Sequence, residues 1–158
     1  MLQKTLSVFL TIIIVMSFMS CQFNTIYDEV VFINEDGWEK DKAAHFEVTI
    51  IDTTALYDFF LILHNNTDYR YSNLFIFMST TFPNKNLTRD TIEFVLANAS
   101  GKWLGKGWGN VKETDILLKS NLRFPLSGDY KFFIQHAMRN DTLEGIRSVG
   151  LRIENLNK

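Results

Sequence analysis

The sequence predicts an all-β chain that folds as an antiparallel β-sandwich of about eight strands, of the jelly-roll or immunoglobulin-like kind. Three observations carry this prediction. Several segments alternate apolar and polar residues with a period of two. Clusters of Asn, Asp and Gly interrupt those segments at fairly even spacing. Helical periodicity is not convincing anywhere, and the chain contains no internal repeat and no low-complexity linker.

The first 20 residues are typical of a secretion signal that is removed from the mature protein. Lys4 supplies the positive charge, the uncharged apolar run follows at 6–18, and Ser20 is the small residue required before the cleavage point. The apolar run is too short for a mature membrane-spanning helix, which needs about 20 residues. We therefore predict a cleaved signal peptide at 1–20, an anchored tether with a first strand at 21–40, and a sandwich domain at 41–158.

Cys21 is the single cysteine of the chain and follows Ser20 directly. This arrangement resembles the lipobox of bacterial lipoproteins, although Phe18 and Met19 replace the usual Leu and Ala. The resemblance implies a diacylglycerol on the Cys21 sulfur and an acylated amino terminus. The alternative is an unpaired thiol, which would be a liability in an oxidising compartment. Each buried methylene of a lipid contributes about 0.8 kcal/mol, so two or three long chains would hold the domain on a membrane.

The first predicted strands of the sandwich differ in their patterns. Phe46, Val48 and Ile50 alternate with polar residues, which indicates a strand with one buried face. Residues 57–63 are apolar at almost every position, which indicates a strand covered on both faces, and we expect the polar cluster 64–66 to end it as a turn. Residues 74–78 form a similar apolar run.

The later segments alternate more regularly. Residues 91–96 place Ile92, Phe94 and Leu96 on one side. The clearest strand follows Gly128, and its predicted buried face comprises Tyr130, Phe132, Ile134, His136 and Met138. A terminal strand has Val149, Leu151 and Ile153 on one face and Arg152 on the other.

Size and charge narrow the functional classes. Removal of residues 1–20 leaves 138 residues, enough for one domain that buries about two-thirds of its unfolded surface. The formal net charge of -2 becomes -3 once Lys4 is lost, and no basic block occurs in the sequence. Nucleic acid is therefore not an expected partner.

The segment 99–110 is the compositional outlier of the chain. It holds four glycines between 101 and 109, together with Trp103 and Trp108. Glycine allows backbone conformations and close approaches that other residues do not. Two interpretations stay open: the loop presents its indole rings to a glycan or a protein partner, or it folds back and plugs an open end of the sandwich.

The sequence predicts no catalytic residue, cofactor or metal site. His136 is expected to be a hydrogen-bonded core residue, and His64 to make a turn contact. The histidines lack metal-ligand spacing, and the glycine-rich segment lacks the ending of a phosphate-binding loop. Aspartates are scattered through predicted loops, so an enzyme built from converging carboxylates is the weakest alternative.

Three Asp-Thr pairs carry a possible modification signal. Thr53, Thr91 and Thr142 each follow an aspartate and precede Thr, Ile or Leu. Each tripeptide resembles the Asp-Ser/Thr-apolar sequence at which Bacteroidetes attach O-linked glycans in the periplasm. The alternative is that Asp followed by Thr simply begins or ends a strand, because Asp bonds turn amides and Thr favours strands.

One further feature is an ordered set of residues that runs along the mature chain: Tyr27, Trp38, Asp41, Phe46, Asp52-Thr53, Tyr57, Tyr69-x-Tyr71-x-Asn73-Leu74, Pro83, Asp90-Thr91, Gly101-x-Trp103-Leu104-Gly105, Phe124, Gly128-x-Tyr130, Gln135-x-Ala137-Met138-Arg139, Gly145-Ile146 and Val149-Gly150. Taken together, this set resembles the GldH-type gliding motility lipoprotein family of Bacteroidetes. The resemblance implies a small lipoprotein without established enzymatic activity. In gliding members it is required for surface movement and for type 9 secretion.

The resemblance also sets expectations for location and partners. Surface-exported lipoproteins of this phylum usually carry an acidic cluster after the cysteine, and residues 22–25 have none. We therefore expect an outer-membrane anchor with the domain facing the periplasm, in contact with other envelope proteins of the gliding and secretion apparatus. The first candidate contact patch is Tyr69, Arg70 and Tyr71, because Tyr and Arg carry contact energy efficiently. Packing at the start of a strand is the alternative for the two tyrosines. A glycan-binding module that uses Trp103 and Trp108 is the alternative function.

Overall fold

The computed structural model describes residues 24–157, and within this range every regular element is a β-strand. The ten strands are β1 (Thr25–Phe32), β2 (Trp38–Glu39), β3 (Ala44–Ile50), β4 (Tyr57–Asn66), β5 (Asn73–Thr81), β6 (Leu87–Val95), β7 (Val111–Leu122), β8 (Gly128–His136), β9 (Thr142–Leu143) and β10 (Ile146–Asn155). The predicted signal peptide and Cys21 lie outside the described residues. Across residues 24–157, no helix is long and apolar enough to cross a membrane.

The eight long strands form two four-stranded antiparallel sheets. Sheet 1 has the order β1-β10-β4-β7, and sheet 2 has the order β3-β8-β5-β6. The short strands β2 and β9 pair separately. This interleaved order is that of a jelly roll, in which eight strands form two Greek keys and two sheets that pack face to face. The all-β sandwich prediction is confirmed, and the strand order selects the jelly roll from the two predicted kinds.

The core lies between the two sheets and follows the alternation seen in the sequence. In β3 and β8 every second side chain is buried, including Phe46, Tyr130 and Phe132. Aromatic rings meet edge to face across the core: Phe124 lies 5.4 Å from Tyr57 and 5.0 Å from Tyr130, measured between ring centroids. Such contacts add about 0.5–1.5 kcal/mol each beyond the burial of apolar area.

Strand β4 is longer than the sequence predicts. The expected turn at 64–66 is wrong, because β4 continues through Asn66 and these residues pair with β10 and β7. His64 and Asn66 find side-chain partners on neighbouring strands, whereas Asn65 is fully buried and its Nδ2 donates a hydrogen bond to the carbonyl oxygen of Asn66. His64 is within 2.9 Å of Ser148 Oγ and of Glu113 Oε2.

Strand β7 is not predicted by the sequence pattern. It runs for 12 residues at the edge of sheet 1 and contains Lys112, Glu113, Asp115 and Lys119. An edge strand with one solvated face accommodates charges, which also discourage pairing with other chains. The charges obscure the apolar alternation of Ile116 and Leu118, which is why the pattern fails here.

The loops divide between two opposite ends of the sandwich. At one end, β1 begins beside the end of β10, and the connections 51–56, 82–86 and 123–127 gather there. We call this end the anchor pole, because Asn24, the described residue nearest in sequence to the predicted anchor Cys21, lies there. At the distal pole, the connections 67–72, 96–110 and 137–145 gather instead, together with β2 and β9. Strands of nine residues separate the two poles by roughly 30 Å, at about 3.3 Å per residue.

Candidate functional site

Tyr69 lies in the distal-pole loop 67–72 and is a packing residue. Its side chain is 5% exposed, and its hydroxyl donates a hydrogen bond of 3.0 Å to the carbonyl oxygen of Asn73. Its ring lies 5.6 Å from that of Tyr71 and 6.4 Å from that of Trp103. Burial raises the pKa of the Tyr69 hydroxyl well above its usual value. The Tyr69 ring therefore orders the distal pole and is not open to a partner.

Arg70 and Tyr71 lie closer to solvent than Tyr69. Arg70 is exposed, and its Nη2 is 3.7 Å from Glu144 Oε2, a surface pair worth about 0–1 kcal/mol. The half-buried Tyr71 donates a hydrogen bond of 2.8 Å to Asn140 Oδ1. Together these residues border a shallow depression of about 60 Å³ whose other lining residues are Thr142, Leu143 and Glu144. The hydrogen bond and the ion pair join the loops 67–72 and 137–145.

The two tryptophans of the glycine-rich loop have different environments. Trp103 is half-buried, packs on the core and bridges to Ala97. Trp108 is 100% exposed. The plug interpretation therefore fits Trp103, whereas Trp108 presents its whole indole ring to solvent.

Contacts of the Gly107 backbone with Val111 and Lys112 hold the loop that carries Trp108. Gly107 has φ +126°, and a Cβ at this position would lie 2.8 Å from the carbonyl oxygen of Val111. Only glycine therefore fits this close approach without strain. The Lys112 ammonium donates a hydrogen bond of 2.8 Å to the carbonyl oxygen of Gly107. These contacts fix the base of the loop from which Trp108 projects.

His136 lies fully buried at the distal end of β8. Its core position is confirmed, but the expected hydrogen bond is wrong, because neither ring nitrogen has a partner among the described residues. Instead the ring packs edge to face against Trp38, with 5.6 Å between centroids. Burial lowers the pKa of His136, and the nearby backbone of Trp38 and Asp141 offsets part of this effect without reaching hydrogen-bond geometry. We therefore interpret the buried, neutral ring of His136 as part of the packing beneath β2.

Ser148, His64 and Glu113 form a cross-strand row that sequence reasoning missed. Both ring nitrogens of His64 are hydrogen-bonded. Nδ1 lies 2.9 Å from Ser148 Oγ, and Nε2 lies 2.9 Å from Glu113 Oε2. The order of groups is similar to that of a serine hydrolase triad. Ser148 is only 2% exposed, however, so its hydroxyl is not accessible to a substrate. The three residues are distant in sequence and meet only through the pairing of β10, β4 and β7.

The three threonines with a modification signal occupy different settings. Thr91 on β6 and Thr142 on β9 are exposed, whereas Thr53 is half-buried in a turn. In that turn the Asp52 carboxylate accepts hydrogen bonds from the Thr54 amide and hydroxyl, and these bonds lower the pKa of Asp52. The turn therefore explains why an aspartate precedes Thr53, whereas Thr91 and Thr142 are exposed to a modifying enzyme. Over residues 24–157, no group of three His, Cys, Asp or Glu side chains is placed to hold a metal ion.

The family model and two similar proteins point to the same family. Residues 25–153 match the family model described as "GldH lipoprotein". The chain is 42% identical over 160 residues to the "Gliding motility lipoprotein GldH homolog" of Christiangramia forsetii, with 97% of this chain and 98% of that protein covered. It is 32% identical over 142 residues to the "Gliding motility lipoprotein GldH" of Flavobacterium johnsoniae, with 85% and 87% covered.

Among solved structures, a family 35 carbohydrate-binding module from Clostridium thermocellum aligns over 80% of this chain and 89% of that chain. The identity is 12% and the TM-score is 0.37, a likeness too low to support an inference about ligands. The family match covers nearly all of the described strands, and two relatives exceed 30% identity over most of their length. The chain therefore belongs to the GldH lipoprotein family.

Proposed function

We propose that this protein is a lipid-anchored, non-catalytic interaction subunit of the cell envelope that serves gliding motility and type 9 secretion. The names of its relatives support the association with gliding motility. The observation that carries the proposal is the division of the domain into an anchor pole and a distal pole. A lipid at Cys21 would sit three residues before Asn24, and a chain of three residues spans at most about 11 Å.

This geometry would direct the distal pole away from the bilayer. Asn24 lies at the anchor pole, where its carbonyl oxygen accepts a hydrogen bond of 2.8 Å from the Asn155 amide. The loops with Arg70, Tyr71 and Trp108 are at the other end of the strands. A partner in the envelope space would thus meet these loops first.

The contact can be tested by crosslinking variants of the lipoprotein in membranes, purifying each variant and measuring how much partner protein is recovered with it. Arg70→Glu and Trp108→Ala should each reduce partner recovery at least fivefold, because both side chains are exposed and neither is needed for packing. Leu87→Ala is the matched control, since Leu87 is 67% exposed on β6 near the anchor pole. Equal recovery from all three variants and the unchanged protein would contradict the distal-pole contact.

Location forms a separate part of the proposal. We propose an outer-membrane anchor with the domain in the periplasm, on the basis of the non-acidic residues that follow Cys21. Protease treatment of intact cells should leave the domain intact, and treatment after permeabilisation should degrade it. Loss of the domain from intact cells would reverse the assignment to a surface location.

A glycan-binding module is the second candidate, and the full exposure of the Trp108 ring favours it. An exposed indole is a suitable platform for a sugar face. Titration with peptidoglycan fragments or polysaccharides should then shift the indole emission, and Trp108→Phe should remove that shift. A flat titration of the unchanged protein would eliminate this candidate.

A further inference from the structure

An apolar cleft of about 440 Å³ opens between the edges of the two sheets, where β6 faces β7. Its volume lies within the range of small-molecule sites, about 300–1,000 Å³, whereas protein interiors are otherwise close-packed. The floor and walls are mostly aromatic and aliphatic side chains, among them Phe59, Ile92, Leu118, Phe124 and Phe132. The cleft therefore offers a deep apolar surface reached from one side of the sandwich.

The mouth of the cleft is polar. Thr88 and Asp90 share the inward face of β6 with Ile92 and Phe94, yet both are exposed because the cleft opens beside them. Lys119 of β7 also lines the cleft. Inward positions of a strand are normally apolar, so these groups mark a place where the interior meets water. An apolar interior with a few polar groups at its entrance suits an amphiphile.

The cleft occupies the half of the sandwich next to the anchor pole. Its lining comes from the end of β5, the start of β6, the end of β7 and the start of β8, all of which are near that pole. A second depression of about 340 Å³ shares Phe82, Thr88 and Pro125 with the cleft and continues over the pole to Leu126. An elongated apolar ligand could therefore extend from the cleft toward the bilayer.

We propose that this cleft binds the acyl chain of an envelope lipid, with the polar end of the lipid at Thr88, Asp90 and Lys119. The chemistry follows from the lining itself, while the placement beside a bilayer rests on the proposed anchor at Cys21. The opposite charges of Asp90 and Lys119 suit a polar head better than a second apolar surface. They also discourage the addition of a partner strand at these two edges.

A photoreactive fatty acid tests the proposal in cells that make the full lipoprotein. The cells incorporate a diazirine fatty acid into their lipids, the sample is irradiated, and the purified protein is digested and mapped by mass spectrometry. We expect adducts on the segments 118–124 and 130–132. Leu118→Trp should lower their yield at least tenfold by filling the cleft. Leu117→Trp is the matched control, because Leu117 is exposed and not part of the cleft lining.

A second variant keeps the test informative if Leu118→Trp fails to fold. Thr88→Trp would fill the mouth from an exposed position on an edge strand, so it should lower the adduct yield without a loss of thermal stability. Adduct masses of a phospholipid or of a free fatty acid identify the lipid source, and either supports the proposal. Absence of cleft adducts, equal yields in all variants, or a link to an acyl group on Cys21 itself would overturn it. The same spectra report the lipid on Cys21 independently, so failure of the anchor is distinguishable from failure of the cleft.

Discussion

At the scale of single residues, the stability of this domain depends on a few large side chains between the sheets. Phe132 is 3% exposed and lies 5.2 Å from Phe59 across the sandwich, measured between ring centroids. The preceding residue, Lys131, points to solvent, and its ammonium is 3.3 Å from Glu47 Oε1. Neighbouring positions on one strand thus have opposite energetic roles.

Phe132→Ala should lower the free energy of unfolding by about 3–5 kcal/mol, because a large buried ring is lost and the core relaxes only in part. Lys131→Ala should change it by less than about 0.5 kcal/mol, since a surface ion pair contributes little. Urea unfolding of both variants measures the difference. Similar midpoints for the two would mean that the buried face of β8 is assigned wrongly.

His136 gives the domain a predictable response to pH. Burial lowers its folded-state pKa below the unfolded value of about 6.5, so the unfolded state binds the proton more readily. The stability contributed by the neutral ring is present above that pH and is lost as the pH falls toward the folded-state pKa. His136→Phe should flatten this dependence below about pH 6.5 in urea unfolding, because Phe retains a ring but does not titrate.

His45→Gln is the control for this response. His45 is exposed and stacks on Phe133, with 4.6 Å between ring centroids, so its removal should leave the acid-side loss of stability in place. If His45→Gln flattens the profile and His136→Phe does not, the buried ring is not the source of the pH dependence.

At the scale of elements, the attachment of β1 to sheet 1 depends on Gly150 in the neighbouring strand β10. A Cβ at position 150 would lie 2.9 Å from Val30 Cγ2 and 3.0 Å from the carbonyl oxygen of Glu29, both on β1. Here glycine is required for close approach of two strands. Since β1 is the element nearest to the proposed anchor, this contact ties the tether to the sandwich.

Gly150→Ala should push β1 away from β10 and cost about 1–3 kcal/mol through overpacking. Hydrogen exchange should become faster at the amides of β1, while the amides of β3 and β8 in the other sheet keep their protection. Gly101→Ala is the control, because no atom lies within 4 Å of its Cβ, although its φ of +79° carries a strain of its own. Uniform loss of protection in both variants would argue against a local role for Gly150.

At the scale of the whole molecule, the indole rings report the orientation of the domain. Trp38, Trp103 and Trp108 are all at the distal pole, on β2 and in the loop 96–110. With the strands holding the poles roughly 30 Å apart, these rings should lie well beyond the bilayer surface when the lipoprotein is anchored.

Reconstituted lipoprotein in vesicles with spin-labelled lipids should therefore show little quenching of its native tryptophan emission. An added tryptophan at the anchor pole, Ile51→Trp, should be quenched strongly, since Ile51 is 87% exposed in the connection after β3. Strong quenching of the unchanged protein would mean that the distal pole faces the membrane, and the proposed orientation would fail.

The sequence was sufficient to predict the β class, the buried faces of β3, β8 and β10, and the family, because these depend on local alternation and on an ordered set of residues. It did not reveal β7, whose charges mask the period of two. The three-dimensional structure was needed for the jelly-roll order, since strand pairing joins residues that are distant in the chain. It likewise separated the exposed Trp108 from the packed Trp103 and brought β6 and β7 together around the apolar cleft. Exposure and cavities depend on which strands become neighbours, and no local pattern encodes that.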